Sequence, residues 1–191
     1  MAKNKKKVQL KGREILGKRV LILGEVGSGK TKLAAELLQE LMMLVNPEQI
    51  TVIDLAPQRV GEVGGKLTEY VNINSGVRYF SPKNVYTPRL ASTSPERLLH
   101  YAELNRKSME QLFNMFIRNV TEVLVLNDVT LYLHLGRLET VLKCVKLART
   151  FLTTAYHGSK LAKDLGTGIS SRERQLTDKL ATFMDLTVRI N

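Results

Sequence analysis

Residues 24–31 have the residue types and the spacing of a phosphate-binding loop, because GEVGSGKT matches the pattern G-x-x-x-x-G-K-[ST] in full. The glycines let the backbone wrap so that successive N–H groups point at a phosphate oxygen, and the positive end of a following helix faces the same place. We expect Lys30 to bridge the β- and γ-phosphates and the Thr31 hydroxyl to bind Mg2+. The predicted nucleotide-binding residues are Gly24, Glu25, Val26, Gly27, Ser28, Gly29, Lys30 and Thr31.

A magnesium site also needs a carboxylate opposite the loop, and two aspartates qualify. Asp54 and Asp128 follow short apolar runs, and parallel strands end at the same edge of a sheet, where ligands bind. Asp128 is the preferred metal ligand and main catalytic acid, because Asn127 beside it supplies a second polar group. Asn127 itself is a neutral amide and a poor ligand. For Asp54, capping a turn or pairing with a basic residue is an equally good interpretation.

Three further side chains near the C-terminus are candidate catalytic residues. His157 follows the fourth apolar run, where it would sense the γ-phosphate or position water. Arg172 and Arg174 lie in a basic segment further along, and either would suit an arginine finger that reaches a neighbouring subunit's nucleotide. The simpler interpretation stays open for all three: a solvent-exposed strand end and ordinary solvated helix charges.

Apolar periodicity predicts the elements that must position these residues. Buried strands are expected at 19–24, 50–54, 122–126, 150–155 and 184–190, and helices at 30–45, 95–118, 135–147 and from 171 onwards. Strands that alternate with helices predict an α/β fold of three layers, a mainly parallel five-stranded sheet with helices on both faces. The Pro-, Gly- and Ser-rich stretch 55–95 is expected to hold at most short strands at 71–73 and 77–80, arranged as a hairpin around 74–76.

Composition bounds the class of protein. A chain of 191 residues with 43% apolar residues is one domain, predicted at 19–191 after a basic arm at 1–18. Of the net charge of +11, residues 1–19 carry +7, so the arm is suited to neutralising nucleic-acid phosphates or is simply a solvated terminus. No apolar run is long enough to predict a membrane span, and no signal peptide is recognisable. The single cysteine, Cys144, lies in an apolar helical pattern, which favours a core residue in a reducing, cytoplasmic protein.

With the loop and the acidic strand end in place, the chain resembles the additional-strand class of P-loop NTPases. Within that class it is most similar to HerA/FtsK-type motor ATPases, which include viral genome-packaging ATPases. The resemblance rests on the loop and on residues 53–54, 126–128, 146–149 and 153–157. It implies a strand between the loop strand and the acidic strand, Mg-dependent ATP hydrolysis, a homo-oligomeric ring, and sequence-nonspecific action on duplex DNA. The family usually has Asp-Glu where this chain has Asn127-Asp128, and Gln where it has His157.

Three alternatives stay open at this point. Small RecA-like or KaiC-like ATPase domains fit the same pattern, and so does a nucleotide-dependent switch without a nucleic-acid partner. A P-loop kinase is also compatible, with residues 55–95 and 158–172 as acceptor and lid segments, although kinases usually carry the acidic residue on the strand next to the loop strand. The loop recognises phosphates and not the base, so GTP remains open beside ATP.

Overall fold

A computed structural model describes residues 10–59, 61 and 64–190, and all statements on structure refer to these residues. The strands are β1 Arg19–Gly24, β2 Ile50–Asp54, β3 Arg78–Phe80, β4 Val123–Asn127, β5 Thr150–Tyr156 and β6 Leu186–Ile190. The helices are α1 Gly12–Ile15, α2 Lys30–Leu44, α3 Pro88–Ala91, α4 Pro95–Arg118, α5 Thr130–Leu133, α6 Leu138–Leu147 and α7 Ile169–Ala181.

The six strands form one parallel sheet in the order β3-β2-β4-β5-β1-β6. β5 therefore lies between β1, which leads into the phosphate-binding loop, and β4, which leads to Asp128. This order agrees with the expectation for the additional-strand class, and it differs from the adjacent arrangement usual in P-loop kinases. All strands point the same way, so the loop and the polar strand ends meet at one edge of the sheet.

Alternate residues of each strand face two separate hydrophobic cores. In β1, Leu21 and Leu23 pack into the core formed with α4, α5, α6 and α7, whereas Val20 and Ile22 pack into the core formed with α1 and α2. Every residue of β2, β4 and β5 is buried, as expected for strands covered on both faces. The predicted three-layer α/β fold is thus confirmed.

The number of strands was underestimated. The structure has six strands and not five, and the predicted hairpin in the Pro- and Gly-rich stretch is absent from the described residues. Residues 71–73 form no strand, and β3 pairs with β2 in parallel through Thr51 and Arg78, Val52 and Tyr79, and Ile53 and Phe80. Because the chain between β2 and β3 returns to the starting edge of the sheet before β3 begins, the pairing is parallel.

The helix predicted at 135–147 begins three residues later than expected, at Leu138 in α6, and a break around Gly136 separates it from a short helix, α5, that was not predicted. A side chain at Gly136 would stand about 2.5 Å from ring atoms of Tyr132, which is fully buried. The break leaves His134 at the C-terminal end of α5. This position matters for the site described below.

Residues 10–18 of the predicted arm pack against the domain. Ile15 is fully buried in the α1–α2 core, and the N–H of Gly12 donates to Glu40 Oε2 at 2.6 Å. The N–H of Gly17 donates to Thr150 Oγ1 at 2.9 Å. The four lysines between positions 3 and 7 lie outside the described residues.

In the part of the chain that the structure describes, no helix combines the length and the apolarity that crossing a bilayer requires.

Candidate nucleotide-binding site

An open cleft lies at the carboxyl edge of the sheet, where the loop after β1 meets the ends of β4 and β5. Residues 26–32 line one side of it, and Asp128 and Thr154 line another. Arg89 of α3 and His134 at the end of α5 also contribute to its wall. The cleft therefore brings the predicted phosphate-binding loop and the predicted metal ligand to one place.

Glycines give the loop its path from β1 into α2. A side chain at Gly24 would collide with the carbonyl oxygen of Ile190 and with the Ser28 hydroxyl, so this position admits no larger residue without a shift. Gly27 and Gly29 have φ values of 73° and 93°, in the left-handed region that favours glycine, and Gly29 is the N-cap of α2. The loop thus ends on a helix N-terminus, which is a favourable place for an anion.

Lys30 turns back over the loop. Its Nζ donates to the carbonyl oxygen of Glu25 at 2.7 Å. Burial lowers the pKa of Lys30, while the negative charges of Asp128 and Glu25 act in the opposite direction. The ammonium group is therefore partly desolvated and lies within electrostatic reach of Asp128 across the cleft.

Glu25 ties the loop to the turn that follows β5. One carboxylate oxygen accepts from the Val26 N–H at 2.8 Å, and the other accepts from the N–H groups of Ser159 and Lys160 at 2.8 and 3.1 Å. Partial burial favours the protonated acid, but these backbone N–H groups outweigh it together and lower the pKa of Glu25 to about 2. Glu25 was predicted only as one loop residue among eight, and nothing in the motif indicates this long-range contact.

Asp128 stands directly after β4 in a left-handed conformation, with φ of 59°. Its N–H donates to Thr154 Oγ1 at 2.8 Å, and Oδ1 accepts from the Thr130 hydroxyl at 2.6 Å. Burial raises the pKa of Asp128, and the Thr130 hydrogen bond and the charge of Lys30 oppose that shift. A cation in the cleft would act in the same direction as Lys30 and favour the ionised carboxylate.

Asp54 and Asn127 form an interior network below the cleft. Asp54 is fully buried and accepts four hydrogen bonds: from Ala56 N–H at 3.3 Å, Asn127 Nδ2 at 2.9 Å, Leu67 N–H at 2.7 Å and the Tyr79 hydroxyl at 2.9 Å. The Asn127 Oδ1 accepts from Thr154 Oγ1 at 2.8 Å. Both carboxylate oxygens of Asp54 are thus engaged by the protein itself, which supports a structural role for this residue.

The comparison with known families decides the class. Residues 1–189 match the family described as "Helicase HerA, central domain". The chain belongs to the HerA central-domain family. This is a family of P-loop ATPases, as the resemblance of the loop and the strand ends implied. Among solved structures, the chain is similar to a protein of Pyrococcus horikoshii OT3 described as a structural study, with 10% identity, a TM-score of 0.44, and 95% of this chain and 88% of that one covered. No curated protein matches the sequence.

In this HerA-family domain, His157 and Arg174 lie together outside the cleft of Lys30 and Asp128. His157 Nε2 is 3.2 Å from Asp178 Oδ1 and 3.2 Å from Arg174 Nη1, and both residues line a neighbouring depression. Arg174 also donates to the carbonyl oxygen of Gly158 at 2.7 Å. Arg172 points elsewhere and donates to the carbonyl oxygen of Gly136 at 2.8 Å. Both arginines are exposed on α7.

Sequence reasoning missed Arg89, His134 and Glu173. These residues lie on α3, at the end of α5 and on α7, and the chain separates Arg89 from Glu173 by 84 positions. No local pattern joins them, and no motif in the sequence includes His134. Only the fold of the HerA-family domain brings the three side chains together.

Proposed function

We propose that this HerA-family domain binds ATP with Mg2+ in the cleft and hydrolyses it. The observation that carries the proposal is that Lys30 and Asp128, which come from separate strand ends, face one cleft and influence each other's charge. A P-loop lysine and a metal-binding carboxylate are groups that phosphoryl transfer uses, and a strand between them is the arrangement that the resemblance implies for ATPases of this class. The family membership supports the same assignment.

The donors in the cleft fit the groups they would hold. Backbone N–H groups of residues 24–31 and the Lys30 ammonium suit the β- and γ-phosphates, and the Thr31 hydroxyl and Asp128 carboxylate are the oxygen ligands that Mg2+ prefers. The Ser28 hydroxyl in the loop is buried and has no hydrogen-bond partner among the described residues. Bound Mg2+ would neutralise charge that develops on the phosphate oxygens.

In this proposal, Lys30 changes its hydrogen-bond partner when the nucleotide binds. Its ammonium now bonds to the Glu25 carbonyl, and on binding it would move to the β- and γ-phosphate oxygens. A charge-assisted bond to phosphate is stronger than one to a neutral carbonyl, so the exchange favours binding. Asp54 remains the secondary candidate for the metal, because four donors already occupy its oxygens.

The test of binding is Lys30→Ala, compared with Lys143→Ala on the exposed side of α6. Isothermal titration with Mg–ATP should show no measurable affinity for the first variant and the parental affinity for the second. Equal affinity for Lys30→Ala and the parent would contradict the site. Titration with GTP in parallel decides between the two nucleotides.

The test of chemistry is Asp128→Asn, which keeps the side-chain shape and removes the charge. We expect nucleotide binding to persist while phosphate release falls by at least about 100-fold, the order typical of losing one electrostatic group in the site. Unchanged turnover would move the role to Asp54 or to another residue. ADP release should not depend on an added acceptor, and acceptor-dependent release would show a kinase instead.

We propose that the partner is nucleic acid, bound without sequence preference through phosphates. The support is the charge of +7 over residues 1–19 and the family resemblance to motors that act on duplex DNA. A cytoplasmic location belongs to the same proposal and rests on the single, buried Cys144.

We further propose that copies of the chain assemble into a homo-oligomer in which an α7 arginine acts on the neighbouring site. Arg172 and Arg174 are exposed and suit this role, and His157 accompanies Arg174. Arg172→Ala or Arg174→Ala should abolish the rise of specific activity with protein concentration. Turnover that stays strictly proportional to concentration in the parent and in both variants would argue against any arginine acting between subunits.

A further inference from the structure

A cluster of three charged or titratable side chains lies against the cleft and has no role in the scheme above. Arg89, His134 and Glu173 come from α3, α5 and α7. Their side chains are nearly inaccessible to solvent: His134 is 0% exposed, Glu173 4% and Arg89 7%. Groups of this kind are rarely buried without a specific use or a full set of partners.

Glu173 is held rigidly by Arg89. The two guanidinium nitrogens Nη1 and Nη2 donate to Oε1 and Oε2 of Glu173 at 3.2 and 2.9 Å. The same guanidinium lies 5.3 Å from the ring centroid of Tyr156 and donates to Ser170 Oγ at 3.3 Å. Bidentate pairing and stacking fix the orientation of the carboxylate.

The carboxylate in turn fixes the tautomer of His134. Glu173 Oε2 lies 2.7 Å from His134 Nε2. A carboxylate paired with arginine only accepts hydrogen bonds, so Nε2 carries the ring proton. In the neutral ring, Nδ1 is then an acceptor with a free lone pair.

That Nδ1 is buried and has no hydrogen-bond partner among the described residues, although His134 lines the cleft of the phosphate-binding loop. A base whose second nitrogen is oriented by a carboxylate is the arrangement by which histidine takes protons in nucleophilic and hydrolytic sites. The donor that Nδ1 lacks is therefore expected to come from the contents of the cleft.

We propose that His134 Nδ1 accepts the proton of the water that attacks the γ-phosphate, with Glu173 and Arg89 as positioning residues; this inference rests on the proposed ATP hydrolysis. The water oxygen bonds to the γ-phosphorus while the bond from that phosphorus to the β–γ bridging oxygen breaks and ADP leaves. The water proton passes to Nδ1, and the imidazolium releases it to solvent after the products leave.

The strand end explains why a second acceptor is required. The position before Asp128 holds a neutral amide, Asn127, which is committed to Asp54 and Thr154. Asp128 is thus the carboxylate available for the metal, and Thr130 already occupies its Oδ1. A separate histidine relieves Asp128 of proton transfer.

The charges around the ring suit a transient proton. Glu173 of α7 contacts the ring and is itself paired with Arg89 of α3, and Asp128 in the turn after β4 interacts electrostatically with the ring and with Lys30 of α2. Arg172 of α7 bonds to the Gly136 carbonyl two residues further along the chain. A proton on Nδ1 would therefore be stabilised by the charges of two carboxylates, each partly neutralised by its own basic partner.

The first test needs no turnover. Long-range 1H–15N correlation spectra of 15N-histidine-labelled protein, without nucleotide, should show His134 with a protonated Nε2 and an unprotonated Nδ1. His134→Gln assigns the signal, because it removes one ring and keeps an amide that donates to Glu173. A His134 signal with protonated Nδ1 at neutral pH would overturn the proposal.

The second test is kinetic and compares His134→Gln with His100→Gln, a histidine exposed on α4. We expect turnover of His134→Gln to fall about 100-fold with KM changed less than about 3-fold, and the acidic limb of the pH–rate profile to disappear. The exposed control should match the parent. Turnover of His134→Gln within about 3-fold of the parent, with the same pH profile, would refute the role of His134 and leave the proposed hydrolysis standing.

A second variant protects the test against misfolding. Glu173→Gln keeps the size of the side chain and removes the charge that selects the tautomer. We expect a mixed tautomer of His134 in the spectra together with reduced turnover; an unchanged tautomer with unchanged turnover would contradict the positioning role. If the parent protein binds ATP without hydrolysing it, the proposed function is refuted instead. The tautomer spectra do not depend on hydrolysis, so the two failures can be told apart.

Discussion

The variant Asp54→Asn distinguishes between two possible roles of Asp54, a structural one and that of a metal ligand. Asp54 is fully buried and accepts four hydrogen bonds, two at each oxygen. The amide of Asp54→Asn keeps one accepting oxygen, so its NH2 group must face two of those four donors. In the parent, burial together with the negative charge of Asp54 raises the pKa of Tyr79 well above its usual range, so the tyrosine is protonated and its hydroxyl donates to the carboxylate.

The magnitude follows from the donors left without a partner. Each buried donor that loses its acceptor costs about 1–3 kcal/mol, and hydrogen bonds to a charged group are the stronger ones. We therefore expect Asp54→Asn to lower the free energy of unfolding by about 3–5 kcal/mol. For a domain of this size, that corresponds to a fall in Tm of about 10 °C.

Urea unfolding followed by circular dichroism measures this directly, with an unchanged m value as the sign that only stability has changed. Asp185→Asn is the matched control, since Asp185 is exposed and accepts one backbone hydrogen bond, from Arg19 at 2.7 Å. The control should lose less than about 1 kcal/mol. If Asp54→Asn unfolded at the parental midpoint but lost Mg-dependent nucleotide binding, Asp54 would be a metal ligand and the reasoning would fail.

Three other perturbations test separate features. Because the pKa of Glu25 is depressed to about 2, its carboxylate stabilises the fold above pH 4.5; the difference in urea midpoint between the parent and Glu25→Gln should shrink as the pH falls from 4.5 towards 2. Gly136→Ala should lower the free energy of unfolding by about 1–3 kcal/mol, because the added methyl group would overpack against Tyr132. Gly17→Ala is the control: φ there is 71° but the space is open, so the cost should be about 1 kcal/mol. A smaller loss for Gly136→Ala than for Gly17→Ala would contradict the close contact. Deleting residues 1–9 removes four lysines and should make the slope of log K against log salt shallower by up to about 3.6 in gel-shift titrations with duplex DNA; an unchanged slope would show that the arm makes no phosphate contacts.

The central part of the fold was predictable from the sequence because β1, β2 and β4 are short, largely apolar runs that end at Gly24, Asp54 and Asn127. Residues 19–24 and 50–54 were predicted with the bounds that the structure has. The edge strand was predictable only in position, since Arg78 to Phe80 has mixed polarity and local pattern does not reveal whether its partner runs parallel. The order of the strands in the sheet was likewise not predictable from the residue pattern, and only the family resemblance implied it.

The site was predictable where it is contiguous in sequence. Residues 24–31 form a motif whose glycines have the required conformations, and Asp128 is marked by the end of a strand. Glu25, by contrast, acts through Ser159 and Lys160, which are more than 130 residues away. Contacts of that kind depend on how β5 lies beside β1, which no local pattern encodes.

The short edge strand β3 restricts how copies of this chain can join. Only Arg78, Tyr79 and Phe80 take part in the sheet there, and the chain reaches Pro82 two residues later, where the backbone has no N–H to donate. Another strand added at this side would find a pairing length of three residues, too short for a stable extension of the sheet. Self-association on the β3 side must therefore use side chains of helices and loops, whose fit is specific to the right partner, and unspecific stacking of sheet edges is disfavoured.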